Sequence, residues 1–329
     1  MTLPWQIEPP TRTGGGLVAG LCVLCGGRNM GPWSPGAPAR ARPSMGIPRV
    51  GEAMETLERV GVEGTQEMER YLWRHYQENI ALLNDLQRGR RRIGQRERPI
   101  LLGYRLGGDV VAVQGIYRGG RWLPHFERRD VLPAMLEDAH DYWLRWVMGP
   151  RRVVDPILDH LPELGLGVTF DEIDASCYVD RHSLVPRPAP GVRRATRRDL
   201  EDVAALRCAF EAEYFGVPVE RIERAWCLRA AERYIGDGAH VAEVDGRIVA
   251  MVAVEAALPQ LTHIGAVYTA HAYRNRGLAK GVVTAICQEH LRRKARVTLN
   301  VRVDNEAANR AYRALGFRVW GDYRMCRLS

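Results

Sequence analysis

Lysine is nearly absent. Lys280 and Lys294 are the only two in 329 residues, so the formal charge of +8 rests on arginine. An arginine excess spread over the chain, without a basic run interleaved with aromatics, does not make a nucleic-acid surface. The densest stretch, Arg88 to Arg92 interrupted by Gly89, reads as a solvated loop. Long apolar runs are missing too: no segment reaches the roughly 18 residues that a membrane-spanning helix needs. The short apolar run 17–25 follows Glu8 and a single Arg12, which is not the basic start of an export signal. The seven cysteines, an odd number, form no disulfide framework and point to a reducing, cytoplasmic setting. Cys22 and Cys25 make a C-x-x-C, but no second pair or histidine follows at metal spacing, so no metal site is expected.

What is present is a chain 46% hydrophobic, long enough for about two domains. Residues 1–54 are rich in Gly, Pro and Arg without periodicity and are expected to be disordered. From Thr65 a helical period runs to about Leu86. Three β-like runs follow at 100–106, 110–117 and 122–126, separated by Gly107-Gly108 and Gly119-Gly120. Residues 132–146 read as a helix, Val153-Val154 as a strand, 156–164 as a helix and 172–178 as a strand. The proline-rich stretch 184–191 reads as a stiff linker between a domain at 55–183 and one at 192–329. In the latter, Thr196 and Asp199 open a helix to about Tyr214, a second helix covers 219–234, and Asp245-Gly246 turns a hairpin.

The most informative stretch is H-I-G-A-V-Y-T-A-H-A-Y-R-N-R-G-L-A, His263 to Ala279. β-Formers at Val267, Tyr268 and Thr269 lead into Arg274-Asn275-Arg276-Gly277-Leu278-Ala279, and Leu278, Val282 and Ile286 then recur at helical spacing. A glycine turn that opens a helix presents free backbone N–H groups and the positive dipole end to an anion. Arg274 and Arg276 add charge, and phosphate is the natural ligand. Downstream, V-T-L-N-V-R-V-D-N-E-A-A-N-R-A-Y-R-A-L-G-F from Val297 to Phe317 reads as a strand, an Asn-opened helix carrying Tyr312, and Leu315-Gly316-Phe317.

The loop R-x-x-G-x-A and this second segment, in that order and separation, resemble the GNAT acyltransferases that use acetyl-CoA as co-substrate. The resemblance implies an α+β fold of two tandem GNAT-like domains, each a mixed, mostly antiparallel sheet flanked by helices. At the corresponding place in the N-terminal copy stands Glu127-Arg128-Arg129-Asp130-Val131-Leu132, which has no glycine and two acids. That domain is therefore expected to be degenerate and free of CoA.

The resemblance also assigns roles. The backbone of Val267 and Thr269 would hold the acetyl and pantetheine parts. Arg274, Asn275, Arg276, Gly277, Leu278 and Ala279 would hold the pyrophosphate, Asn305 would touch the co-substrate, and Tyr312 would protonate the departing thiolate. Amide formation also needs a base. His263 stands where the family places one, although a carboxylate is commoner there; Glu255 and a water relay are its rivals. The acceptor, a small-molecule or peptide amine, would meet Glu211, Glu213, Tyr214 and Trp226, whose two acids lean towards a small amine. The expectation is a cytoplasmic N-acetyltransferase with no nucleic-acid or membrane partner; the sequence leaves the oligomeric state open, an internal tandem being compatible with a monomer. A non-catalytic CoA-binding scaffold and an aminoacyl transferase with a larger donor are the alternatives.

Overall fold

A computed structural model describes residues 57–60, 64–90 and 98–329. The expected disorder of residues 1–54, and Cys22 and Cys25, lie outside them. The described residues divide into two compact units, one of residues 57–174 and 321–329, the other of residues 175–320.

In the first unit the elements run β1 (Glu58–Val60), α1 (Thr65–Arg74), α2 (Ile80–Arg90), β2 (Ile100–Leu106), β3 (Asp109–Ile116), β4 (Arg121–Phe126), α3 (Leu132–His140), β5 (Trp146–Pro150), α4 (Arg151–Leu158) and the start of β6 (Val168–Val179). Strands β1 to β4 pair antiparallel in chain order, and β4 meets β5 parallel, through Arg121↔Trp146 and Trp122↔Val147. Next to β5, antiparallel, lies the end of the chain's last strand, with Tyr323↔Pro150 and Arg327↔Trp146. Strand β3 is buried at every position after Asp109, as its apolar run requires when both faces are covered. The core gathers Trp122, Ile116, Met135, Val153, Val154 and Ile157, and takes Cys326 and Leu328 from the chain's end. One polar group inside it is satisfied: Gln114 receives Trp122 Nε1–H at 2.7 Å and donates to Tyr104 Oη at 2.6 Å.

The second unit runs from the end of β6 through β7 (Val192–Arg194), α5 (Leu200–Phe215), α6 (Arg224–Asp237), β8 (His240–Val244), β9 (Arg247–Ala257), β10 (Leu261–Thr269), α7 (Leu278–His290), β11 (Arg296–Arg302) and α8 (Glu306–Ala314) to the start of β12 (Arg318–Leu328). Its strands are ordered β6-β11-β10-β9-β8-β7, with β10 and β11 parallel. Thr196 and Asp199 form a reciprocal capping box ahead of α5. Asp245 and Gly246 both adopt positive φ, 51° and 73°, which a tight hairpin requires.

Both units share one element order, β-α-α-β-β-β-α-β-α-β. The fold is α+β, a mixed sheet flanked by helices. The unit boundaries fall inside β6 and β12, so the end of each of these strands completes the other unit. The 184–191 stretch packs within the second unit. Val185 N–H donates to Leu315 O at 3.0 Å, Arg187 N–H to Thr284 Oγ1 at 2.9 Å, and Ala189 lies against Gly281.

Three local expectations need correction. The helix expected over 65–86 is two helices: α1 ends at His75, whose carbonyl accepts from Glu78 N–H and Asn79 Nδ2, and the chain turns before α2. The strand near Val153-Val154 is Trp146–Pro150, and the two valines lie on the buried face of α4. The second helix of the C-terminal half starts at Arg224, after a short turn at Val219–Arg221. No helix among the described residues is long and apolar enough to cross a membrane.

Candidate active site

The site grows from the place where β10 and β11 part. Their parallel pairing covers Leu261↔Arg296, Thr262↔Val297 and His263↔Thr298. On its other edge β10 pairs with β9 through two irregularities. Between His263/Ile264 and Ala256/Val254 the extra residue is Glu255; between Gly265/Tyr268 and Ala253/Met251 the extra residue lies on β10. There Ala266 takes φ +49°, a conformation a non-glycine residue rarely adopts. A bulge of this kind interrupts the ladder and re-aims the backbone, so the carbonyl and N–H groups around Val267 turn out of the regular sheet.

Glu255 is buried, and its carboxylate covers the Cα of Gly265. Tyr234, from α6, donates to Glu255 Oε1 at 3.5 Å. His263 is also buried, its Nδ1 2.9 Å from Thr298 Oγ1, and burial lowers its pKa to about 4. At the far end of β10, Thr269 Oγ1 is buried without a partner among the described residues.

The strand leads through a turn at His271–Tyr273 to Asn275, at φ +62°, and Gly277, at φ +79° and ψ 0°, which caps α7. Beyond its own chain neighbours, no atom of the described residues lies within 4 Å of where a Cβ on Gly277 would stand. The first N–H groups of a helix have no intrahelical partners, so the residues after Gly277 present donors to that open space. Arg276 is anchored at the loop by Ala272 O, 3.2 Å, and lies 5.1 Å from the Tyr273 ring centroid. Arg274 is committed elsewhere: it donates to Thr269 O at 3.0 Å and to Glu213 on α5 at 2.6 Å. Open space at a glycine, a helix N-terminus and a nearby cation are features that suit a pyrophosphate.

Tyr312 stands on α8 within the apolar cluster that holds Leu278, Val282 and Phe317, its ring 5.6 Å from that of Phe317. Burial raises its phenol pKa. Asn305 caps α8 through Oδ1, which accepts from Ala308 N–H at 3.1 Å.

The helices α5 and α6 line the other flank. Arg207 and Glu211 pair in the interior, and the guanidinium lies 4.9 Å from the Phe210 ring, 5.0 Å from Trp226 and 5.7 Å from Tyr234. The two α5 acids that lean the sequence towards an amine are therefore each held by an arginine, Glu211 by Arg207 and Glu213 by Arg274. The bulge at Glu255, the need for glycine at Gly265 and the Arg207 cluster carry no motif, and composition does not announce them.

The acetyltransferase (GNAT) family profile matches residues 200–317, the span that holds every one of these groups. Residues 200–317 are a GNAT acetyltransferase domain.

Solved structures agree on the fold. A Drosophila protein is 12% identical over 84% of this chain and 99% of its own, with a TM-score of 0.61. A GNAT-family acetyltransferase from Colwellia psychrerythraea is 12% identical over 83% and 100%, with a TM-score of 0.52. A tandem GNAT protein from the clavulanic acid biosynthesis pathway is 14% identical over 83% and 98%, with a TM-score of 0.50. A search of curated proteins finds no significant match.

The GNAT domain has a counterpart for each element in the first unit, and the differences fall at the site. There β4 pairs with β3 from Ile116↔Trp122 to Ala112↔Phe126 without a register shift. Between β4 and α3 there is no glycine and, among the described residues, no positive φ. Arg128 is bound to Asp130 at 2.6 Å, and a proline opens α3, removing an N–H.

Proposed function

We propose that the chain is an acetyl-CoA-dependent N-acetyltransferase, moving an acetyl group to a primary amine by direct attack on the thioester. The observation that carries this reading is the succession, along one strand–loop–helix, of the β10 bulge and the left-handed turn at Asn275 and Gly277, both missing from the described β4–α3 segment of the first unit. In our assignment the backbone of Val267 and Thr269 orients the acetyl and pantetheine parts. The N–H groups from Asn275 to Ala279, Leu278 included, receive the pyrophosphate with Arg276, while Arg274 braces the loop against α5. Asn305, which starts α8, would touch the co-substrate.

The amine nitrogen bonds to the carbonyl carbon, the carbon–sulfur bond breaks, one proton leaves the amine and one reaches the thiolate. Tyr312 is our donor to sulfur, since burial keeps its phenol protonated at physiological pH and so able to give a proton to the departing thiolate. For the base we assign Glu255, with His263 as its rival. His263 is neutral at physiological pH, but its Nδ1 is already engaged by Thr298 Oγ1 at 2.9 Å. Glu255 is a carboxylate set by a bulge beside the bulge of β10.

The first unit, in this reading, is CoA-free and structural. The five cysteines among the described residues are free, in keeping with a reducing, cytoplasmic setting. The test is thiol release from acetyl-CoA across a panel of small amines and amine-bearing peptides. Acceptor-dependent release that falls at least about tenfold in Tyr312→Phe supports the enzyme. CoA binding with no release on any acceptor replaces it with a CoA-binding scaffold.

A further inference from the structure

The first unit carries a polar cluster that acetyl transfer does not use. It sits where α1 breaks from α2 and where β4 ends. His75 and Glu78 come from the break, His125 from β4, and their ligand atoms lie within 4.8 Å of one another. His125 is fully buried, with Nδ1 2.7 Å from Tyr71 Oη and Nε2 2.6 Å from Glu78 Oε2. His75 Nε2 meets the Glu127 carboxylate, and the two imidazole rings stand 4.9 Å apart. Arg152 reaches in from α4, its Nη2 at 3.0 Å from His125 Nε2 and its Nε at 3.2 Å from Glu78 Oε1.

The arrangement concentrates electron pairs. In the tautomer that donates Nδ1–H to Tyr71, the lone pair of His125 Nε2 faces both the Glu78 carboxylate and Arg152 Nη2, and a cation held between the two Lewis bases favours that tautomer. The Arg152 guanidinium supplies one, but its side chain is nearly half exposed and can swing to solvent. Two imidazoles and a carboxylate are a donor set for a transition metal. Tyr71 holds the His125 ring through Nδ1, opposite the Nε2 that meets Glu78, as partners of metal-bound histidines do, and Glu127 holds the His75 ring through Nε2.

We propose that His75, Glu78 and His125 bind one divalent transition-metal ion of the Zn2+/Co2+ class, and that Arg152 is the tethered cation the metal displaces. The C-x-x-C reading does not enter, because no cysteine takes part.

The test is titration of Co2+ into the full chain carrying Cys22→Ser and Cys25→Ser, read by its visible absorption. The expected result is one saturable site per chain, reversed by Zn2+. His75→Ala and Glu78→Gln each lose it with far-UV circular dichroism unchanged, so the outcome does not depend on altering the buried His125. Removing the competing positive charge in Arg152→Gln tightens binding by about tenfold or more. Absence of Co2+ binding in both the parent chain and Arg152→Gln overturns the proposal, as does a site that survives His75→Ala and Glu78→Gln.

Discussion

Glu255 and Gly265 fix one another: a Cβ at Gly265 would stand 2.6 and 2.7 Å from the two carboxylate oxygens of Glu255. Glycine at 265 is thus the condition for a carboxylate beside the bulge of β10. If Glu255 is the base, Glu255→Gln lowers kcat by about a hundredfold, the lower end of what a positioned base contributes. Gly265→Ala, which pushes the carboxylate aside, lowers it by about tenfold. Acetyl-CoA affinity, measured by calorimetry, is expected to change little in Glu255→Gln. A wild-type rate in Glu255→Gln together with loss in His263→Gln moves the role to the histidine.

His263 ties stability to pH. Burial lowers its pKa from 6.5 to about 4, so the unfolded chain takes up the proton first. Its stabilising contribution is complete above about pH 6.5 and is lost as pH falls towards 4, by about 3 kcal/mol in all. Urea unfolding at pH 7.5 and 4.5 measures it, and His263→Gln is expected to flatten that part of the profile. Asp199 acts in a different window. Hydrogen bonds from Arg193 lead the causes that lower its pKa to about 2, so its contribution is lost only as pH falls from about 3.8 through 2.

The capping box gives a purely local prediction. Thr196→Ala removes the hydroxyl that bonds Asp199 ahead of α5 and is expected to cost about 1 kcal/mol. Denaturant unfolding checks it, with the slope unchanged.

Much of the second unit was legible because its signals are local. Asp245-Gly246 announces a hairpin, Thr196 and Asp199 a helix start, and Arg274 to Ala279 a turn into a helix, each through chemistry within a few residues. The break at His75–Asn79 was hidden because apolar spacing continues on both sides of it; what ends α1 is a turn closed by Asn79 on the His75 carbonyl. Val153 and Val154 favour strands by shape, yet tertiary packing places them on the buried face of α4. Bulges leave no compositional trace, so the sequence offers Glu255 only as a rival base, without the bulge that sets it against Gly265. The ends of β6 and β12 could not be assigned to a unit, because nothing in a strand's own sequence records which neighbours it pairs with.

The central claim is that one unit of the two holds acetyl-CoA, at the open face of Gly277. Calorimetric titration of acetyl-CoA into the wild-type chain and into Gly277→Trp, which fills that space and strains the left-handed turn, is the deciding measurement. One molecule is expected to bind per chain, with binding lost in the variant and circular dichroism unchanged. Two molecules per chain would contradict the reading of the first unit, and undiminished binding in Gly277→Trp would contradict the cradle itself.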